Sequence, residues 1–168
     1  CEAIAEAHTL GIVHRDLKPA NVFLARSPDG NAQVKVLDFG ISKILEELAD
    51  GDLSLTATRT LMGSPLYMAP EVMRSARSAD HRSDVWALGC ILYELLSGER
   101  PFVDGVVRGA PARQWRPVPL MDRARGASPA VCAAVDACLE ADPARRPADA
   151  AALLVRLAAP PPAPRPRP

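Results

Sequence analysis

Residues 14–21 read HRDLKPAN, which places His14, Arg15, Asp16, Lys18 and Asn21 in one short stretch. The apolar-rich segment CEAIAEAHTLGIV precedes it and the strand-like run VFLA follows. Five polar or ionisable side chains between two packed elements cannot easily all be buried, so the stretch is either a solvated loop or a working site. Asp16, Asn21 and Asp38 are the oxygen ligands and bases of this region. If the flanking strands form a hairpin, the loop entering the first becomes a neighbour of the loop leaving the second. Asn21 and Asp38 could then share one hard cation such as Mg²⁺, which takes few protein oxygens and keeps room for phosphate and water. Asp16 lies close enough to act beside that ion as a base without binding it. Lys18 adds a positive point charge suited to a phosphate. Base, cation and metal ligands together describe phosphoryl transfer to an alcohol.

The elements that must hold these groups follow from pattern and punctuation. A helix ends over residues 2 to about 12, stopped by Gly11. Strands are expected at 22–25 and 34–38, with the turn formers Pro28, Asp29, Gly30 and Asn31 between them. Residues 40 to about 63 carry no regular pattern and read as a long functional loop. The segment 83–98 is apolar nearly all the way round, which marks a helix in the middle of a domain, with Ser83 or Asp84 as its cap and Gly98 as its close. Glycines and prolines leave no room for a long helix in 103–127. Further helices are expected at 128–143, with Ser128 as N-cap, Pro129 in the first turn and Pro143 beyond the end, and at 147–158. The tail APPPAPRPRP reads as an extended, unpacked linker.

Composition narrows the function classes. The 168 residues suffice for one domain with a core, and 20 Lys plus Arg balance 20 Asp plus Glu, so net charge gives no pointer to nucleic acid or to an anionic membrane. No uncharged run approaches the length of a membrane span. Cys1, Cys90, Cys132 and Cys138 form no CxxC pair, which argues against structural zinc and for small buried or half-buried thiols in a reducing cytosol. No secretory signal is visible, and a start at Cys1 rather than methionine reads as a fragment or processed product.

HRDLKPAN, DFG at 38–40, MAPE at 68–71, the helix SDVWALGCILYELLSGERPF and DPARRP at 142–147 occur in the order and spacing of eukaryotic-like protein kinases, which the chain resembles over roughly residues 1–158. The implied fold is the large C-terminal lobe of that family: mainly helical, with a small β-hairpin by the catalytic loop, covering 1–158, and a proline-rich tail over 159–168. The implied activity is transfer of the ATP γ-phosphoryl group to protein Ser or Thr hydroxyls, with Mg²⁺, or Mn²⁺ in its place.

By the same resemblance, Asp16 is the base, Lys18 holds the transferring phosphate, and Asn21 and Asp38 bind metal. His14 and Phe39 stack beneath the site, with Gly40 completing the metal loop. Arg15 and Lys43 receive a phosphate on the activation loop, placed first on Thr60, then Thr58, then Thr56. Ser64 stands where such kinases place a Thr or Ser that contacts the base and the lysine, and with Gly63 it belongs to the substrate-facing P+1 loop. Glu71 and Arg146 form a buried ion pair, and Asp84 accepts hydrogen bonds from the catalytic-loop backbone. Lys18 two residues after the base is similar to serine/threonine rather than tyrosine kinases. The Ala-, Arg- and Pro-rich composition fits a bacterial source.

The chain holds no G-x-G-x-x-G and no Val-Ala-x-Lys strand before the catalytic loop, so the nucleotide-clamping small lobe is not within it. The resemblance therefore implies an enzyme that needs that lobe as a partner, alongside its protein substrates and with no nucleic acid. A cytoplasmic location is expected, with membrane anchoring beyond the tail left open. The alternative is a non-catalytic kinase remnant that binds a partner. An intact Asp16, Lys18, Asn21 and Asp38 favours the enzyme.

Overall fold

The computed structural model describes residues 1–27, 30–39, 64–102 and 115–159. Helix α1 spans Glu2–Thr9 and is closed by Leu10 and by Gly11 at φ 73°. A 3₁₀ turn, Pro19–Asn21, leads into strand β1, Val22–Arg26, which pairs antiparallel with β2, Ala32–Val36, from Val22 opposite Val36 to Arg26 opposite Ala32. Helix α2 covers Pro70–Arg74, α3 His81–Ser97, α4 Leu120–Arg123, α5 Pro129–Cys138 and α6 Ala150–Ala158. Among the described residues no helix is long and apolar enough to cross a membrane.

Helix α3 is the axis. Ten of its seventeen residues are buried, as a helix apolar on all sides requires, and α4, α5 and α6 pack around it. Val85, Trp86, Cys90 and Ile91 meet Leu120, Cys132, Val135, Cys138, Leu139 and Leu153 in the core. Trp86 stacks on Phe102 with ring centroids 4.8 Å apart, and Phe102 lies 5.5 Å from Trp115. Burial pushes the Cys138 thiol up to about 12 and raises Cys90 further still, so both are packing groups rather than nucleophiles.

Several boundaries differ from the sequence expectation, each for a local reason. Strand β2 begins at Ala32 and ends at Val36, so Asp38 does not terminate it. Asp38 adopts φ 53°, a left-handed conformation that cannot continue a ladder. Helix α3 is capped by Asp80, whose carboxylate accepts the Arg82 N–H while Ser83 Oγ accepts the Asp80 N–H. Ser83 and Asp84 are thus inside the first turn, not at the cap. Ser128 caps α5 as expected, but the helix stops at Cys138, and Pro143 opens a separate 3₁₀ turn, Pro143–Arg145. Asp149 caps α6 at Ala152 N–H, which starts the helix three residues later than 147. Residues 40–63, the expected long loop, Pro28 and Asp29, and the tail from Pro160 onward lie outside the described residues.

Gly89 sets the distance between α3 and α5. A Cβ built on it would sit 2.5 Å from Cys138 Cβ and 3.1 Å from Leu139 Cδ2. The first clash is with an atom fixed to backbone, so rotamer change cannot relieve it. Gly89→Ala is expected to destabilise the domain by about 1–3 kcal/mol through overpacking, outweighing the roughly 1 kcal/mol gain in helix propensity. Urea denaturation checks this, and a midpoint raised by the substitution would refute the close packing.

Candidate active site

The site is suspended from one carboxylate. Asp84, in the first turn of α3, is 1% exposed. Its Oδ2 accepts the His14 backbone N–H at 2.7 Å and its Oδ1 accepts the Arg15 N–H at 2.9 Å. The His8 Nε2–H reaches Oδ2 at 3.1 Å, and the Ala150 N–H at the start of α6 donates to His8 Nδ1 at 3.2 Å. Arg15 needs this support, because its φ of 66° is left-handed for a residue with a Cβ. That conformation costs about 1–2 kcal/mol, whereas a hydrogen bond to a charged group contributes about 1.5–3 kcal/mol. Two such bonds hold the bend.

His14 is buried and faces inward. The Asp16 N–H donates to its Nδ1 at 3.3 Å, so Nε2 carries the proton and donates to the Leu37 carbonyl at 3.1 Å. Its ring lies 4.7 Å from that of Phe39. Both ring nitrogens are committed to backbone, which fits the packing role that the resemblance implies and ties the catalytic loop to the segment after β2.

The bend turns Asp16 outward. Lys18 Nζ donates to Asp16 Oδ2 at 2.7 Å. Asn21 Nδ2 donates to the Asp16 carbonyl at 2.8 Å and touches Oδ2 at 3.3 Å. This commitment of Nδ2 leaves Oδ1 as the atom with which the buried Asn21 could meet a cation. The Leu37 N–H donates to the Asn21 carbonyl at 2.9 Å and so carries Asp38, one residue on and exposed, to the same end of the hairpin. An amide oxygen and a carboxylate suit a hard divalent ion. Asp16, Lys18 and Asn21 are joined by hydrogen bonds, and Asp38 is linked to them through backbone.

The second polar cluster holds the APE segment. Arg146 Nη1 and Nη2 pair with Glu71 Oε1 and Oε2 at 2.7 and 2.9 Å. Its Nε donates to the Glu140 carbonyl at 2.7 Å, Nη1 to that of Arg82 at 3.1 Å, and Nη2 to that of Ala141 at 3.3 Å. All five guanidinium N–H groups are thereby used. Ser83 Oγ donates to Glu71, and the guanidinium carbon lies 4.8 Å from the Trp86 ring centroid. Tyr67 donates its hydroxyl to Glu94. Burial and this bond raise the hydroxyl to about 12, keeping it a neutral donor.

Sequence reasoning missed His8, Ser83, Trp86 and the Tyr67–Glu94 pair as parts of these clusters. Each acts across a long sequence separation, and no local pattern marks it. Gly40, Lys43, Thr56, Thr58, Thr60 and Gly63 lie outside the described residues. Ser64 is seen only as the backbone start of the 3₁₀ turn Ser64–Tyr67.

The protein kinase domain family matches residues 1–156. This chain belongs to the protein kinase family. It is 46% identical over 151 residues to the serine/threonine-protein kinase Pkn1 of Myxococcus xanthus, covering 89% of this chain and 20% of that protein. It is 38% identical over 149 residues to PknJ of Mycobacterium tuberculosis, covering 86% and 24%. The chain thus spans about a fifth to a quarter of these kinases. Among solved structures it resembles the PpkA-294 apo form, with TM-score 0.68, 27% identity and coverage of 93% and 50%. It also resembles the Rad53 kinase domain in complex with AMPPNP, with TM-score 0.62, 28% identity and coverage of 92% and 53%. The helix-rich fold with its two-stranded sheet is that of a partial kinase domain.

The buried pair yields a direct test. Glu71→Ala leaves a fully desolvated guanidinium facing no carboxylate and is expected to cost about 3–5 kcal/mol. A thermal melt of the variant that matched the parent would show that the pair contributes nothing to the fold.

Proposed function

We propose that the chain is the large lobe of a serine/threonine protein kinase and that HRDLKPAN and Asp38 perform its chemistry. The observation that carries this is the hydrogen-bonded set Asp16–Lys18–Asn21 on a loop bent outward by Asp84. In this reading, Asp16 orients the acceptor hydroxyl and takes its proton as oxygen attacks the γ-phosphorus and ADP leaves. Lys18 shifts from Asp16 onto the transferring phosphate, which its short flexible reach allows. Asn21 Oδ1 and Asp38 would hold Mg²⁺, which when bound offsets charge on the phosphates. His14 and Phe39 keep the Asp38 segment against the catalytic loop. Arg15 and Lys43 would receive a phosphate on Thr60, Thr58 or Thr56.

The lobe boundary at residue 158, with 159–168 as linker, belongs to the same reading. So does a nucleotide-clamping second lobe seated on the hairpin side. Phe23, Leu24, Val34 and Leu37, with Leu10 and Ile12 nearby in sequence to the catalytic loop, are exposed large apolar residues that such a lobe would cover. Positioning supplies most of the catalysis in phosphoryl transfer, so this chain by itself should turn over no ATP. Joined to the second lobe, it should phosphorylate Ser or Thr in a generic basic protein.

The roles separate by kinetics. In the two-lobe protein, Asp16→Asn should lower kcat by roughly 10²–10⁴ with nucleotide affinity held, while Asp38→Asn should weaken Mg²⁺–ATP binding. Phosphoamino-acid analysis and nucleotide titration check both. Loss of nucleotide affinity in Asp16→Asn but not in Asp38→Asn would reverse the assignment. A two-lobe protein that binds partners but transfers no phosphate would leave the non-catalytic reading.

A further inference from the structure

A groove of about 570 Å³ opens between the chain that leads into α4 and the end of α5, and no residue of HRDLKPAN, DFG or APE lines it. Trp115, Pro117, Pro119 and Leu139 form its apolar walls. That size and make-up suit several side chains of a peptide rather than a small ion. Asp136, Glu140 and Asp142 line it as well. Glu140 is met by Arg145 at 3.5 Å. Asp136 Oδ1 accepts the Leu120 N–H at 3.1 Å, and Asp142 Oδ1 accepts the Ala144 N–H at 2.9 Å, so one oxygen of each is tied to backbone. Among the described residues neither Asp136 nor Asp142 has a basic partner at ion-pair distance. Burial, with the Asp122 charge nearby, holds the Asp136 carboxyl above its ordinary range, as befits an anion still lacking a cation. Arg116, also on the groove, gives its Nη1–H to the Trp115 carbonyl.

We propose that this groove is a docking surface for a proline–arginine segment and that its occupant is the chain's own tail, with Arg165 and Arg167 on Asp136 and Asp142. The tail PPPAPRPRP, 160–168, has six prolines in nine residues, two arginines and no acid. Proline arrives with φ already fixed, so laying such a segment into a groove costs less ordering than an ordinary chain would. Aromatic-lined grooves take proline rings, and arginine meets a carboxylate through paired N–H groups. Reach is sufficient. Arg156, in the last turn of α6, is near enough to the end of α5 for its charge to act on the Cys138 thiol, next to Leu139 of the groove. Nine residues in polyproline conformation span about 28 Å, roughly twice the ~13 Å length of α6 itself. The tail is then extended, as its composition implies, but latched to the domain rather than unpacked. This inference stands apart from the phosphoryl-transfer reading and does not need it.

The test uses the full-length protein containing this chain. Asp136→Asn and Asp142→Asn keep an oxygen for the Leu120 and Ala144 N–H groups and remove only the charge. Hydrogen exchange is followed on the peptide covering Leu120–Arg123, beside core peptides from α3. Arg165→Ala with Arg167→Ala is expected to speed exchange at Leu120–Arg123 by roughly threefold to tenfold with α3 held. The two aspartate substitutions together should do the same. All four together should do no more than either pair, because both pairs break one contact. A second measurement locates the occupant. Asp142→Cys with Arg167→Cys is mildly oxidised and digested for mass spectrometry, and the expected product is a disulfide within one chain. Groove exchange unaltered by the arginine pair, or effects of the two pairs that simply add, would overturn the proposal. So would a disulfide found only between two chains, which makes the occupant a second copy, or no disulfide at all.

Discussion

A carboxylate taken out of water must find donors or give up its charge, and Asp84 finds three. Two belong to the backbone of the loop it shapes and one to an imidazole held by another helix. The rest of the site follows from this. The two backbone bonds stabilise a left-handed Arg15, the left-handed residue turns the chain, and the turn points Asp16 outward while His14 stays inside. Helix α3 can carry such a carboxylate because it is buried from Ser83 to Ile91 and packed against α4, α5 and α6. A site built on a central helix inherits the rigidity of the core, and that rigidity is what a reaction governed by placement requires.

The second polar cluster solves a different problem. Arg146 and Glu71 are both nearly removed from solvent, where the cost of desolvating each ion is several kcal/mol. Their bidentate contact alone would leave guanidinium hydrogens unmet. The carbonyls of Arg82, Glu140 and Ala141 complete the set, and the Trp86 face closes the remaining side. These partners come from the start of α3 and the chain after α5, so the pair joins the APE segment to both. A lysine could not replace Arg146, having three hydrogens and no fork.

Much of this was legible in the sequence because it is local. HRDLKPAN, DFG and APE are each runs of neighbouring residues, and the apolar run at 83–98 announces its own burial as far as Ile91, while Leu95 and Leu96 at its end are exposed. The hairpin was legible from two short apolar runs around Pro-Asp-Gly-Asn, but its end was not. Nothing in VKVLDFG says that Asp38 takes φ 53° and so stops the pairing at Val36. The cap of α3 was misplaced from Asp80 to Ser83 or Asp84 because all three are capping residue types. Only the fold shows that Ser83 turns back on Asp80 and Asp84 turns toward the loop. His8 was invisible for the same reason. A histidine on the buried face of a short helix reads as packing until the groups facing it, from α3 and α6, are known.

The span between His8 and Ala150 has a consequence for how the chain is made. The two residues are 142 positions apart, and Glu71 and Arg146 are 75 apart. A ribosome adds roughly 5–20 residues per second, so α1 emerges on the order of ten seconds before the helix start that completes its imidazole. During that interval Ile4 and His8 have no finished core to enter, and Glu71 waits with a carboxylate that only Arg146 can match. The N-terminal elements cannot be locked as they leave the ribosome. The HRDLKPAN loop is made early, and the contact from α6 back to His8 on α1 forms only when the last helix is complete. Premature termination between Asp84 and Ala150 thus yields a chain that carries Asp16, Lys18, Asn21, Asp38 and the carboxylate that bends the loop, but lacks the backbone N–H that holds His8.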